Sequence, residues 1–286
     1  MSRVVIAGHG PLARQLQARL GAQHEVRLTA DFDLTARPEA ELALAGAEVV
    51  VMLASARGRQ TRLKTAPKPH LDALLADSVG RAAKLVGAHR VVHFECGDDD
   101  VRTALLERCG VSLSVLRGGG PDPVESLHAL VEGAAPPPPS AWSGEAPGRD
   151  TPRWPTCSVQ RFPLPAGWDA LQLARAHFEW LPSSFPATRV TRLNETWTLY
   201  TGGVRALVLR HVPGRSDDAC AWFEIAAGSL AARPVGRFEF RVLLDGTAVT
   251  ALIGYEPALP FFAYRATQAA VHERTMRKFI AHLSAG

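Results

Sequence analysis

The sequence is short of the patterns that announce most enzymes. Its four cysteines, Cys96, Cys109, Cys157 and Cys220, lie far apart and form no CxxC pair. Neither a disulfide framework nor a zinc knuckle is therefore indicated. There is no HExxH, no GxSxG and no GxxxxGK, so zincin, serine-hydrolase and P-loop chemistry have no motif behind them. No apolar run approaches the ~20 residues that span a bilayer. The chain opens on one Arg and a strand-like run, without a signal-peptide pattern. These absences predict a soluble, cytoplasmic protein with no membrane span and no metal site. Asp98-Asp99-Asp100 reads as a turn that caps the helix after it rather than as a cation site.

The composition is that of a globular protein, with 47% hydrophobic and 21% charged residues in a chain of 286. That length suits one large or two modest domains. The net charge is +4, a weak pointer to an anionic partner. Its one local expression is ARGRQTRLKTAPK at 56–68, which has no acid and no aromatic. Nucleic-acid sites usually add aromatics for stacking, so no nucleic-acid partner is expected. The stretch reads as a solvated basic loop, or as a loop facing phosphate.

Residues 133–155, GAAPPPPSAWSGEAPGRDTPRWP, are dominated by Pro and Gly and predict an extended linker. Before it, apolar strands alternate with helices, as in a parallel sheet covered on both faces. After it, Gly202-Gly203 and Asp245-Gly246 fall between strand-like runs as hairpin turns. A final helix near 267–282 carries Met276, Phe279, Ile280 and Leu283 on one stripe. The expected architecture is an α/β Rossmann-like domain at 1–132, the linker at 133–155, and an α+β domain with an antiparallel sheet and long C-terminal helix at 156–286.

Gly8-His9-Gly10-Pro11-Leu12-Ala13 fits GxGxxA, follows a strand and opens a helix. In that context the glycines allow a tight turn and close approach of a pyrophosphate. The Ala permits helix–strand packing, and the helix N-terminus favours the negative charge. The acid that holds the ribose is expected about 20 residues on. Here the second strand ends Arg27-Leu28-Thr29-Ala30 and Asp31 comes late, while Arg27 would suit a 2′-phosphate. Candidate cofactor residues are Gly8, His9, Gly10, Leu12, Ala13 and Thr29, with Leu53, Ala54 and Ser55 at the next strand end. Two readings stay open: a turn that holds NAD or NADP, and a turn that packs but binds nothing.

With VVVMLAS at 49–55, DSVGRAAKLVGAHRVVHF at 77–94 and VSLSVLRGGG at 111–120, the first half resembles the extended and atypical short-chain dehydrogenases. TPRWPTC at 151–157 and GYEPALPFFAYRATQAAVHERTMRKF at 254–279 extend the resemblance. They are similar to a subgroup that carries a C-terminal helix-grip domain of the START/polyketide-cyclase type. The resemblance implies an NAD(P)-binding domain and hydride chemistry. It also implies a Tyr acid/base with a Lys four residues later, and this sequence departs from that. Its tyrosines are Tyr200, Tyr255 and Tyr264 and its lysines Lys64, Lys68, Lys84 and Lys278, and no pair has the spacing. Where the family has serines after the strand, Glu95-Cys96 stands. Cys96, at a strand's carboxyl end, is a candidate nucleophile or a small buried thiol.

The second half implies a cavity between sheet and helix. Trp197, Trp222, Tyr255 and Phe262 are its candidate lining. His272, on the inward stripe of the last helix, is a candidate acid/base with Glu224 or Glu256. The alternative is an aromatic core with a hydrogen-bonded interior histidine. Three functions follow: an NAD(P)-binding, dehydrogenase-like protein that acts on or senses a small hydrophobic molecule; a cofactor-independent cyclase, isomerase or lipophilic-ligand carrier with the first domain as scaffold; and a regulatory partner of another enzyme. The sequence leaves the oligomeric state unknown.

Overall fold

In the computed structural model, residues 1–54, 63–95, 101–118, 122–138, 156–260 and 268–285 are described. The chain divides into two units, Met1–Arg59 with Leu71–Pro152, and Gln60–His70 with Arg153–Gly286.

The first unit is a doubly wound parallel sheet. Strand β1 (Arg3–Ala7) leads through helix α1 (Pro11–Leu20) to β2 (Glu25–Leu28), and α2 (Arg37–Leu44) leads on to β3 (Val49–Met52). After an excursion the chain returns through α3 (Lys68–Leu85) to β5 (Arg90–Glu95), α4 (Val101–Leu106), β6 (Ser112–Arg117) and α5 (Pro123–Val131). The spatial order is β2-β1-β3-β5-β6, every pair parallel. Strands run to either side of β1, so the winding reverses between β1 and β3. Ligands of open α/β sheets bind beyond the carboxyl ends of the strands at such a reversal.

Period-two alternation assigns the faces. Val4, Ile6, Val49, Val51, Val92 and Phe94 pack against Leu12, Leu16 and Leu20 of α1 and Leu127 and Leu130 of α5. Right-handed crossovers put α2, α3 and α4 on the other face, where His93 and Glu95 point. The apolar strands and the helices between them thus fold as the sequence predicts. Helix α5, capped by the Asp122 side chain on the amides of Val124 and Glu125, was absent from the sequence reading.

The second unit is an eight-stranded sheet in the order β4-β7-β13-β12-β11-β10-β9-β8. Its members are β4 (Leu63–Thr65), β7 (Thr156–Pro163), β8 (Thr188–Leu193), β9 (Thr196–Thr201), β10 (Val204–His211), β11 (Cys220–Ala227), β12 (Arg237–Val242) and β13 (Thr247–Ile253). Consecutive strands β8 to β13 form an antiparallel meander, and its last strand pairs with β7. Both expected hairpin turns are present. Helix α6 (Ala170–Ser184) starts in a capping box between Asp169 and Gln172. Helix α7 spans Ala270–Ala285 and places Met276 and Phe279 in one core with Phe178, Phe223, Phe238 and Phe240.

One element lies elsewhere than the boundaries at 1–132 and 156–286 imply. Leu63–Thr65, inside the basic stretch read as a loop, is an edge strand parallel to β7. Three residues carry no readable alternation, and the backbone pairing that makes them a strand comes from a partner far along the chain. Residues 56–62 of that stretch lie outside the described residues, as do residues 139–155 of the linker. No helix among the described residues is long and apolar enough to cross a membrane.

Candidate functional site

The turn after β1 is built by two glycines in a region that disfavours side chains, Gly8 at φ 145° and Gly10 at φ 110°. Gly10 caps α1 without any side-chain hydrogen bond, and Pro11 occupies the first helical position. The first intrahelical amide bond in this turn runs from Arg14 to the Gly10 carbonyl. Geometry therefore leaves the amides of Leu12 and Ala13 pointing out of the helix end with no acceptor within the helix. Leu12 and Ala13 themselves are buried against the sheet, which fixes the helix end in place. An uncapped N-terminus approached by side-chain-free backbone suits an anion.

Thr29, at the end of β2, is buried, and its hydroxyl accepts the Gly8 amide proton at 3.2 Å. Leu53 and Ala54, just beyond β3, both donate to the Ala7 carbonyl and so tie the ends of β1 and β3 together. His9 is half-buried in the turn. The structure thus gathers Gly8, His9, Gly10, Leu12, Ala13, Thr29, Leu53 and Ala54 at the reversal point. Ser55 and Cys96 lie outside the described residues.

Arg27, considered for a 2′-phosphate, donates instead to the carbonyls of Ala43 at 2.7 Å and Ala45 at 3.0 Å. It fastens the end of α2 through Nη2. Asp33 is buried, with Thr35 donating to it from backbone and hydroxyl, whereas Asp31 is exposed.

The second unit brings together a different set. His177 of α6 is buried among rings, with centroids 4.8 Å from Phe279, 5.4 Å from Phe240 and 5.9 Å from Phe238. His272 of α7 lies 6.3 Å from Phe238. Burial pushes the His177 imidazolium down to about 3, helped by the nearby His272, and burial alone brings His272 to about 4. Both rings are neutral at neutral pH. His177 Nδ1 and His272 Nε2 are buried without a hydrogen-bond partner among the described residues.

His177 was missed in the sequence. It falls on the stripe Leu173, Ala174, His177, Phe178, Leu181, all buried. A polar residue on that stripe is the signal that could have found it.

Trp197 stacks on Phe178 at 4.7 Å, and the Tyr255 hydroxyl donates to the Leu230 carbonyl. Both lie in this core. Trp222 and Glu224 do not join it. Phe223 and Ile225 of the same strand face the helices, so alternation sends Trp222 and Glu224 to the opposite face. There Glu224 pairs with Arg210 at 2.6 Å and Arg215 at 3.6 Å. Arg237 and Arg215 lie over the Trp222 ring, at 5.1 Å and 5.4 Å. Glu256 pairs with Arg233. His272 therefore has neither carboxylate as its partner. Phe262 lies outside the described residues.

No protein-family model matches the chain, and no curated protein does. Among solved structures it is similar to the enzyme WbmG of Bordetella bronchiseptica in complex with NAD and UDP. That match has 16% identity and a TM-score of 0.35, over 42% of this chain and 53% of the other. WbmH of the same organism, in complex with NAD+, matches at 14% identity and TM-score 0.35, over 46% and 63%. The capsular polysaccharide assembling protein CapF of Staphylococcus aureus matches at 13% identity and TM-score 0.28, over 90% and 93%. The chain thus spans between half and two thirds of the two Bordetella enzymes. Matches this weak add nothing to the strand order, on which the Rossmann-like fold stands.

Proposed function

We propose that the first unit binds a nicotinamide dinucleotide at the Gly8–Ala13 turn, and that the protein is an atypical, dehydrogenase-like binder or enzyme. The observation that carries this is the uncapped start of α1 between Gly10 and Ala13, at the winding reversal of the sheet. A side chain at Gly10 would have to adopt a φ of 110°, which L residues avoid. In this reading the amides of Leu12 and Ala13 hold the pyrophosphate, Thr29 holds Gly8 in register, and Leu53 and Ala54 form the floor. When bound, the dinucleotide supplies a hydride donor or acceptor. The first unit itself contains no Tyr/Lys proton relay, because all three tyrosines lie beyond residue 199. Catalysis of reduction therefore requires another proton donor, and sensing of the cofactor requires none.

The test is titration of the full chain with NADH and NADPH, followed by nicotinamide fluorescence and calorimetry, beside Gly10→Val. Saturable micromolar binding that the substitution removes supports the reading. Absence of binding by both nucleotides overturns it.

A second reading rests on the His177–His272 pair. The second unit, read as a helix-grip fold, takes a small, mostly apolar molecule whose hydroxyl or carbonyl meets the two unpartnered imidazole nitrogens. It predicts that His177→Phe and His272→Phe weaken binding of such a ligand while leaving nucleotide binding unchanged.

A further inference from the structure

Arg102 is an arginine where a charge is costly. It sits on α4 and is 2% exposed. Its Nη1 donates to the Ala54 carbonyl at 2.8 Å. Its Nε is buried and has no acceptor among the described residues. A guanidinium offers five donors and cannot lose its proton, and one carbonyl neutralises none of that charge.

The nearest buried carboxylate along the sequence among the described residues does not serve. Glu95 accepts from the Thr103 hydroxyl at 3.1 Å and from Arg117 Nε at 3.3 Å. No carboxylate among the described residues forms an ion pair with Arg102. His93 points to the same face of the sheet. Its Nδ1 meets the Met52 carbonyl at 3.3 Å. A carbonyl only accepts, so Nδ1 carries the proton and Nε2 the lone pair. Burial, and then the Arg102 guanidinium, lower the His93 imidazolium to about 3, so His93 brings no compensating charge, and its Nε2 accepts only from a ligand hydroxyl or amide. Its Nε2 is a second buried nitrogen with no partner among the described residues.

The position matters as much as the deficit. Ala54 follows β3 and is tied by its own amide to Ala7 at the end of β1. The carbonyl that anchors Arg102 is thus at the carboxyl end of the sheet, beside the reversal of winding where open α/β folds bind ligands. A buried, unpaired guanidinium is destabilising unless a counter-charge arrives, and removing the charge altogether is often neutral or stabilising.

We infer that Arg102 is the receptor for a carboxylate or phosphate group of a bound molecule, held at the end of β3 and β5 with the neutral His93 alongside. The guanidinium fork remaining after the Ala54 bond matches either group in a bidentate manner. The first unit therefore takes an anionic ligand. The inference does not depend on the glycine turn holding a dinucleotide.

The experiment measures Tm of the full chain against inorganic phosphate, malonate, NAD and NADP at matched ionic strength, with chloride as the control. Arg102→Met and Gly10→Val are run beside the natural sequence. A saturable rise of several degrees with phosphate or malonate, absent in Arg102→Met and kept in Gly10→Val, supports a substrate anion at Arg102. A rise with NAD or NADP alone, lost in both variants, supports the same receptor and assigns the anion to the dinucleotide. Arg102→Met should also melt no lower than the natural protein when no anion is present. If Arg102→Met does not fold, Arg102→Lys keeps the charge without the fork, and half-saturation should move up about tenfold. A lower Tm for Arg102→Met, together with no anion-specific shift in the natural protein, overturns the inference and leaves Arg102 as a strut for Ala54.

Discussion

The hydroxyl of Thr29 accepts the backbone amide of Gly8 across 3.2 Å of buried space. The end of β2 thus fixes the first residue of the glycine turn. The Gly8 amide is one of the groups a bare Rossmann turn could offer to phosphate, and here it is already satisfied from inside the protein. Under the proposed function, that leaves the Leu12 and Ala13 amides as the donors to phosphate, with Thr29 as a positioning residue for them.

Thr29→Val keeps the shape and removes the acceptor. An unsatisfied buried amide costs about 1–3 kcal/mol, so urea denaturation should show a loss in that range. Thr29→Ser should recover most of it. Under the proposed function, Thr29→Val should also weaken nucleotide binding several-fold. Unchanged stability in Thr29→Val would show that the Gly8 amide does not depend on this bond.

Three buried histidines set an acid limit on stability. His93 and His177 are held down to about 3 and His272 to about 4, against an ordinary value of 6.5. Between those values the unfolded imidazoles take up protons that the folded ones refuse, so stability is full above pH 6.5 and falls as the pH drops towards 4. Urea midpoints at pH 7.5 and pH 5 measure the slope. His177→Phe, which keeps a ring among the Phe side chains, should flatten it. An unchanged slope would mean that His177 does not contribute to it.

Glu239 is fully buried, and Arg237 and Arg241 both donate to it, the second at 2.6 Å. Replacing Glu239 with Gln or Leu leaves the buried Arg241 and the half-buried Arg237 without the carboxylate between them. Losses of about 3–5 kcal/mol are typical when one partner of a buried ion pair is removed. Thermal melting should place Glu239→Leu among the most damaging substitutions in β12. A change of less than 1 kcal/mol, the ordinary worth of an exposed pair, would rule out that role.

Gly228 follows β11 at φ 132°, and a Cβ there would lie 2.3 Å from the Ala206 carbonyl oxygen and 2.6 Å from Leu207 Cα. Those atoms are backbone and cannot swing aside. Gly228→Ala should cost about 2–4 kcal/mol, read as a shift in Tm. Gly202→Ala, in an open hairpin with nothing within 4 Å of the added carbon, should cost less.

The sequence carried most of the first unit because its central strands β1 and β3 are apolar on both faces and its helices follow apolar stripes. The glycine turn was legible because strand, turn and helix are consecutive. Arg102 was not, since nothing local tells a buried arginine from a solvated one, and its carbonyl partner lies 48 residues away. Trp222 and Glu224 were grouped correctly with each other, but strand period alone does not say which face the helices cover. His272 was legible on its stripe, whereas its neighbour His177 shows its meaning only when α6 and α7 meet on one core.

The strand Leu63–Thr65 has a consequence for modularity. Its residues are translated well before β7, yet they cap the open side of that strand. A recombination event at the proline-rich segment would transplant 156–286 without the piece that shields β7. The graft would present a row of unpaired amides and carbonyls, a template for sticking to its own kind. The two units of this protein therefore cannot be shuffled at the point where the sequence invites it. They must be inherited together, or be cut in two places.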